Sequence, residues 1–446
     1  MTDLRRDTDG SGIMGFRMVL VLWFLYLFEP ARLLAYFAPS LNPLKWIPTV
    51  LLYLGLLIWL HSPMKKYNYG FYIAFLAVTL MGTVIAFFDG NWGIARALNR
   101  QIFQFLILGL MTFTFVNNAN RIRTLFHLYF LHIMFFAVWG LFGLILSPID
   151  PSSDPGLRKI VAWHPWFDNR DAFGPLMIIG TVFALYYFKM YPGSILKMLF
   201  LSSAFVCLAG IILSFGRGVF LAMIGTFAFV WYQSRKKVTG LIVAAAAAVV
   251  IVGMTSVISP AGMYWDKMKT IESGVSSGTG ADRFRLWRWA LIEFMESPIL
   301  GVGTGNYGIK LISLIPQEEI TASEYTLGSL WGRSIHCAPL TILCEYGLIG
   351  FAVFSFLFLD FIRTNRQSKT DVNEAETLQM WPSVLQASFA AFWMNALFYE
   401  IIYAPFFWNI LILNRMVYLH RTRLNPGRRN SASTPVLSAA HETAKG

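Results

Sequence analysis

The chain reads ADRFRLWRWALIEFMESP over residues 281–298, GVGTGN over 301–306 and RSIHCAPL over 333–340. The first two segments fall within residues 259–336, the one long polar interruption in a sequence that is otherwise a series of apolar segments, and the third stands at its far end, where the next apolar run begins. Cationic side chains stand near both ends of this interruption. We therefore predict that the apolar segments around it decide the fold and that the interruption itself carries the chemistry.

The rest of the chain has the composition of a polytopic membrane protein. Its 446 residues are 56% hydrophobic and 13% charged, and the mean hydropathy is +0.55, which is too apolar for a soluble protein of this length. The sequence predicts an all-α protein with about twelve transmembrane helices, although the last two segments could form a re-entrant pair. The apolar runs long enough to cross about 30 Å of hydrocarbon lie near 14–30, 44–60, 71–88, 101–116, 125–147, 172–189, 198–214, 217–233, 239–258, 337–361, 382–399 and 404–420.

The cations sort by loop, and their distribution predicts the topology. Eight lie in the short loops of one side: Arg32, Lys45, Arg96, Arg100, Arg158, Lys159, Arg170 and Arg217. Eighteen lie on the other side: Arg5, Arg6, Lys65, Lys66, Arg121, Arg123, Lys189, Lys197, Arg235, Lys236, Lys237, Arg363, Arg366, Lys369, Arg421, Arg423, Arg428 and Arg429. The richer side is cytoplasmic by the positive-inside rule. The net charge of +12 is thus explained by topology and not by binding to nucleic acid.

This topology divides the chain into four parts. Residues 1–258 hold transmembrane helices 1 to 9, and residues 259–336 form the long external loop. Residues 337–421 hold helices 10 to 12, and residues 422–446 are a polar, disordered cytoplasmic tail. The three cysteines are odd in number and have no metal-ligand spacing, so we expect them to be packing residues.

Residues 282–296 are predicted to form an amphipathic helix in the loop. At 100° per residue, Trp287, Leu291, Phe294, Phe284 and Met295 gather on one face, whereas Arg285, Glu293 and Glu296 fall on the other. Arg283 falls on the apolar side, and a cation in the first turn opposes the helix dipole. An anion bound against Arg283 would explain both facts; pairing with a lipid headgroup or a nearby carboxylate is the alternative.

Two further basic residues stand at predicted external helix starts. Arg217 lies between two glycines at the start of the eighth span, and His336 is expected to cap the tenth, where the helix dipole favours a neutral imidazole. An arginine that reaches the membrane surface is the alternative for Arg217. Together with Arg283, these residues suit a doubly charged pyrophosphate.

Several other residues complete the predicted site. Arg170 could face the same cavity, and Arg288 is assigned to substrate binding with Arg283. Glu345 lies inside the tenth span, where an ionisable group is expensive, so we expect it to pair with a buried cation. The glycine-rich turn at 301–306 follows no strand, so we expect it to reverse the chain rather than to bind phosphate.

These motifs resemble, in order and spacing, those of the O-antigen ligase and polysaccharide polymerase family of bacterial envelope enzymes. SFGRGVFL at 214–221 resembles the family's small-x-R-G-x-F-L helix start, and residues 281–307 resemble its R-x-x-x-W-x-x-A-L … P-L-L-G-V-G-x-G-x-F loop signature. HCAPLTILCEYGLIGF at 336–351 resembles H-N-x-x-L-x-x-x-x-E-x-G-x-x-G-x, with Cys337 in place of the usual asparagine. The resemblance covers about residues 210–352.

The resemblance implies a metal-independent glycosyltransferase in the bacterial inner membrane, without cofactors, whose active site faces the periplasm. Its donor would be an undecaprenyl pyrophosphate-linked glycan, and its acceptor lipid A core or another glycan. Arg217 and Arg283 would bind the pyrophosphate, His336 would position or deprotonate the acceptor hydroxyl, and Glu345 would have a supporting role.

Two reactions within the family stay open. The motifs do not separate ligation of a finished glycan to lipid A core from polymerisation of repeat units on the lipid carrier. We favour ligation because the loop has one arginine-rich helix and no obvious second glycan-binding segment. A lipid-linked glycan flippase or transporter would also explain twelve spans, but it should place charges at mid-membrane on several helices, and here they cluster outside.

Overall fold

A computed structural model describes residues 10–38, 40, 46–62, 70–146, 170–234, 236–258, 262–269, 271, 278–316, 318, 330–369 and 376–424. These residues are 87% helical and include no strand, which confirms the all-α class. Most of the predicted cytoplasmic tail, residues 425–446, lies outside the described residues, as do parts of the predicted periplasmic loop.

The helices follow one another with short connections. In chain order they are α1 (Gly10–Phe28), α2 (Pro30–Phe37), α3 (Ile47–His61), α4 (Gly70–Phe88), α5 (Trp92–Phe115), α6 (Ala119–Leu146), α7 (Arg170–Met190), α8 (Ser194–Ser214), α9 (Arg217–Gln233), α10 (Lys237–Ile258), α11 (Met263–Lys269), α12 (Gly278–Glu296), α13 (Tyr307–Leu314), α14 (Ala338–Lys369), α15 (Glu376–Ala396) and α16 (Pro405–Leu424).

Each apolar run predicted from the sequence lies largely on one of these helices. Among the described residues, five stretches are long and apolar enough to cross a membrane, and shorter apolar helices cover 12–28, 47–61 and 72–88. The five are Ala119–Gly143, Ala172–Met190, Ser194–Ser214, Gly240–Val257 and Ala338–Ser368. The chain is therefore a helical membrane protein, while the number of twelve crossings stays a prediction.

The helices share one apolar core that is rich in aromatic contacts. The rings of Phe126 on α6 and Trp381 on α15 stack with centroids 3.9 Å apart, and those of Phe361 on α14 and Phe389 on α15 stack at 3.8 Å. Small residues let helices approach closely: a Cβ on Gly180 of α7 would lie 2.6 Å from the Cys207 sulfur of α8. Cys207 is buried and free of any disulfide, as expected of a packing residue.

A kink in α14 determines how the predicted loop meets the helices. Gly347 has φ 62° and ψ −164° inside this helix, a backbone conformation that only glycine adopts readily. Because the kink interrupts the intrahelical ladder, the carbonyls of Cys344 and Glu345 accept the N–H groups of Val302 and Gly303, at 2.9 and 3.0 Å. The glycine-rich turn is thus fastened to the backbone of α14.

Candidate active site

Arg217 begins α9 directly after a tight reversal of the chain. Phe215, with φ 43°, ends α8 in the left-handed conformation, and the N–H of Gly216 lies 3.3 Å from the Ser214 hydroxyl oxygen. Only two residues separate the helices, so Arg217 is fixed at the positive end of α9. Its side chain is half-buried, as expected of a cation held beside the protein rather than extended into water.

Arg283 lies on the first half of α12 and points inward, as the helical wheel predicts. Its guanidinium carbon is 5.9 Å from the centroid of the Phe398 ring, in the connection between α15 and α16. Phe398 also packs against the start of α9, because a Cβ on Gly218 would lie 2.8 Å from the Phe398 Cβ. One aromatic side chain therefore lies between the helix start that carries Arg217 and the helix that carries Arg283.

The apolar face predicted for this helix is wrong in detail. Leu286, Trp289, Ala290 and Glu293 are buried, whereas Phe284, Leu291 and Met295 are exposed. The helix is amphipathic, but its buried side is rotated from the predicted one because α13 and α14 cover the Leu286 face. The hydroxyl of Tyr307 on α13, for example, donates to the Leu286 carbonyl at 2.8 Å.

His336 lies two residues before α14 and is held on both sides. The helix begins at Ala338, and the Cys337 carbonyl accepts the Thr341 N–H at 2.9 Å. Cys337 therefore occupies the cap position that we had predicted for His336. His336 itself has φ 56°, an uncommon conformation for a residue with a side chain, and its Nδ1 lies 3.2 Å from the Ser334 hydroxyl.

The imidazole of His336 is neutral at neutral pH. Burial, and then the charges of Arg283 and Arg333, lower its pKa to about 4. A neutral ring was expected, but the cause is burial beside two arginines, not the helix dipole alone. A neutral ring keeps one unprotonated nitrogen, so it can accept a proton or a hydrogen bond from a hydroxyl group.

Glu400 holds the backbone around His336, a role that the sequence analysis missed. Its Oε1 accepts the Ile335 N–H at 2.8 Å and the Thr341 hydroxyl at 3.1 Å. The backbone N–H of His336 hydrogen-bonds the same carboxylate, and burial raises the Glu400 pKa. On the other side, Trp287 Nε1 of α12 donates to the Ile335 carbonyl at 3.1 Å. An acidic residue in a short connection between two apolar runs was the signal that could have revealed Glu400.

Glu345 has partners other than the cation we had predicted. It accepts a hydrogen bond from the Tyr403 hydroxyl at 2.6 Å and another from the backbone N–H of Gly305. Tyr403 also lies within 3.2 Å of the Tyr346 hydroxyl. The expected pairing with a buried cation is therefore wrong: hydroxyl and amide donors satisfy this carboxylate. Its assignment to substrate binding stays a prediction.

Two further arginines, Arg288 and Arg170, were predicted to belong to the site. No contact of the described side chains joins either of them to Phe398. Arg288 is exposed, and its guanidinium carbon lies 4.7 Å from the centroid of the adjacent Trp289 ring. It points away from Arg283 because five helical residues correspond to a rotation of about 140°. Arg170 is the first residue of α7, and its side chain lies outside the described part of the chain.

The backbone N–H groups at three consecutive positions of the glycine-rich turn already have hydrogen-bond acceptors. The N–H groups of Val302 and Gly303 donate to α14, and that of Thr304 donates to the Gly82 carbonyl of α4 at 3.2 Å. Since these donors are already used, the turn does not offer the open nest of N–H groups that a phosphate-binding loop needs. Its role is to reverse the chain between α12 and α13, as expected.

A comparison with known families agrees with the motifs. Residues 202–355 match the family model described as O-antigen ligase, whereas no curated protein matches the chain. The matched range contains Arg217, Arg283, His336 and Glu345, and it ends before Phe398 and Glu400. Over residues 202–355 the chain is therefore similar to the O-antigen ligase family.

Proposed function

We propose that this protein transfers a glycan from an undecaprenyl pyrophosphate carrier to an acceptor sugar, on the periplasmic face of the inner membrane. The family supports an enzyme of the O-antigen ligase or polymerase type. The observation that carries the proposal is the convergence of Arg283, His336 and the start of α9 on one short connection, residues 397–404. Phe398 contacts the first and the third, and Glu400 holds the second.

In this proposal Arg217 and Arg283 bind the pyrophosphate of the donor. Each guanidinium offers planar donors to phosphate oxygens, and Arg217 adds the positive end of α9. As the bond between the sugar C1 and the pyrophosphate oxygen breaks, negative charge grows on the leaving group. Two fixed cations that face this oxygen stabilise the transition state more than the ground state.

His336 acts on the acceptor. The acceptor oxygen forms the new bond to C1 and its proton passes to the neutral imidazole, so the products are the glycosylated acceptor, a protonated histidine and the lipid pyrophosphate. A pKa of about 4 makes a weak base. The bound pyrophosphate offsets the charges of Arg283 and Arg333, which lower this pKa, so His336 becomes more basic when the donor is in place.

Binding and turnover of single variants test these roles. Arg217→Lys and Arg283→Lys should each weaken binding of a lipid pyrophosphate by roughly 1.5–3 kcal/mol, the contribution of a charge-assisted hydrogen bond, because an ammonium cannot replace the planar fork. His336→Ala should keep donor affinity near that of the unmodified protein and abolish transfer, with some activity restored in His336→Gln. If His336→Ala loses donor binding as severely as Arg283→Ala, the histidine belongs to the pyrophosphate site.

We propose lipid A core as the acceptor, with polymerisation on the lipid carrier as the alternative reaction. The single arginine-rich helix α12 and the lack of an obvious second glycan-binding segment in the loop sequence support ligation. The lipopolysaccharide of a deletion strain distinguishes the two. Loss of a ligase leaves long lipid-linked polymer unattached, whereas loss of a polymerase leaves core that carries a single repeat unit.

A further inference from the structure

The exposed side of α12 carries an apolar stripe that the proposed reaction does not use. Phe284, Leu291, Ile292 and Met295 lie within about 100° of one another on this helix, and Met295 is 75% exposed. We call these four residues the α12 stripe. Arg288, also exposed, projects from among them. A soluble surface rarely collects large apolar side chains in this way.

The α12 stripe runs directly into the outer surface of α14. The chain leaves α12 through Ile299 and Leu300, both exposed, and the N–H of Leu348 donates to the Pro298 carbonyl at 2.8 Å. Leu348 and Ile349 are exposed apolar residues of a stretch, Ala338–Ser368, that is long and apolar enough to span a membrane. The exposed apolar surface of α14 therefore continues onto the end of α12.

The turn after α12 contacts α4, α5 and α14 at points that lie well inside the ends of these helices that are predicted to be external. The turn bonds to Gly82, about 9 Å from the end of α4 at 1.5 Å per residue, and Asn99, about 10 Å from the start of α5, donates to the Thr304 hydroxyl. Leu348 is about 15 Å along α14 from its start. Irregular backbone at such depth must be covered by protein, and the bonds from Val302, Gly303 and Thr304 provide this cover.

We propose that α12 lies in the outer membrane interface, with the α12 stripe against lipid acyl chains and the long side chain of Arg288 extended from among them to lipid headgroup phosphates. A helix with one apolar side and exposed arginines binds a membrane surface in this manner. The predicted periplasmic loop is then partly embedded, and Arg283, on the opposite side of the same helix, lies at the depth of the headgroups. A lipid-linked pyrophosphate would reach it without leaving the bilayer. Only this last step rests on the proposed function.

A pair of neighbouring probes tests the position of α12. Met295→Cys and Glu296→Cys of the full-length protein, labelled with an environment-sensitive fluorophore, are placed in phospholipid nanodiscs. Both side chains are exposed, but only Met295 belongs to the α12 stripe, and the described cysteines are buried. Quenching by nitroxide on the acyl chains should be several-fold stronger at position 295, and quenching by aqueous iodide several-fold stronger at 296. Equal access of iodide to both positions would overturn the proposal.

A second pair of variants tests Arg288 against the donor site. Arg288→Gln should retain less phosphatidylglycerol after release from nanodiscs, as counted by native mass spectrometry, and should bind inorganic pyrophosphate like the unmodified protein. Arg285→Gln is the matched control: the Arg285 guanidinium lies 3.9 Å from the Asp282 carboxylate, which offsets its charge, so this variant should retain its lipid. If Arg288→Gln weakens pyrophosphate binding as much as Arg283→Gln, Arg288 serves the donor and not the membrane. That outcome would leave the roles of Arg283 and His336 intact.

Discussion

Glu400 offers the sharpest test of how the site is built, because it touches the backbone beside His336 and not the reacting groups. Its carboxylate accepts two backbone N–H groups, from Ile335 and His336, and the Thr341 hydroxyl. His336 is held at φ 56°, and a non-glycine residue keeps such a conformation only where its surroundings enforce it. We therefore expect Glu400 to be a positioning residue that sets the direction of the imidazole.

The hydrogen bonds of Glu400 determine how much its substitution should lower kcat. Glu400→Gln keeps one acceptor oxygen but replaces charge-assisted bonds, worth about 1.5–3 kcal/mol, by neutral ones of about 0.5–1.5 kcal/mol. A loss of about 1–2 kcal/mol in the transition state corresponds to a decrease in kcat of roughly 5- to 30-fold. Glu400→Ala leaves the same donors without an acceptor, at about 1–3 kcal/mol for each, and should lower kcat by at least about 100-fold.

The affinity of the Glu400 variants for the donor distinguishes a positioning role of Glu400 from a role in donor binding. Glu400→Gln keeps every side chain of the proposed donor site, so it should leave lipid pyrophosphate binding near that of the unmodified protein while turnover falls. Thr341→Val is the matched control, since it removes one contact with Glu400 and keeps both backbone bonds; its effect on kcat should be smaller. If Glu400→Gln weakens donor binding and leaves turnover of the bound donor unchanged, the positioning role is wrong.

Four further predictions concern topology, metal, pH and stability. A reporter fused at Gly278 should lie outside the cytoplasm and one at Lys236 inside; a cytoplasmic signal at Gly278 would contradict the site. Transfer by the purified protein should survive EDTA, because two arginines and a helix start hold the pyrophosphate; loss restored by magnesium would refute this. On the acid side, kcat should fall at a higher pH than kcat/KM for the donor, because kcat/KM reports the free enzyme and its His336 pKa of about 4. If both parameters fall at the same pH, bound donor does not raise this pKa. Burial, opposed by Lys310 and helped by Glu296 and Asp89, raises the Glu293 pKa from 4.5 to about 7. The folded state then keeps a proton that the unfolded chain releases, so stability falls as pH rises between these values. Glu293→Gln should raise the free energy of unfolding at pH 8 by up to about 3 kcal/mol, which is measured as a higher Tm, and should change it little at pH 5. Equal shifts of Tm at both pH values would refute the assignment.

The helices were predictable from sequence because the apolar runs are long and most of them end at glycine, proline or a charged residue. That Arg217, Arg283 and His336 belong to one site stays a prediction, which rests on their place at predicted external helix starts and on the family motifs. The buried face of α12 was not predictable from its own residues. Apolar side chains occur on two sides of this helix, so the choice between Leu286 and Leu291 as the buried residue depends on what α13 and α14 present to it.

The partners of Glu345 and Glu400 were beyond sequence reasoning for a related reason. A carboxylate near a membrane predicts that a compensating group exists, but not whether it is a cation, a hydroxyl or a backbone amide. The kink at Gly347 and the left-handed backbone at His336 expose N–H and carbonyl groups that a regular helix would satisfy internally. Irregular backbone of this kind appears only once the chain has folded.

The short connection of residues 397–404 couples the two sides of the proposed reaction. Phe398 packs against Gly218 and lies under Arg283, so it contacts the donor side, while Glu400 holds Ile335 and His336 on the acceptor side. Only Tyr399 separates them in the chain. We expect donor binding to move Arg283 and so to change its contact with Phe398. Because Glu400 follows two residues later and holds the His336 backbone, such a movement would change the orientation of the imidazole.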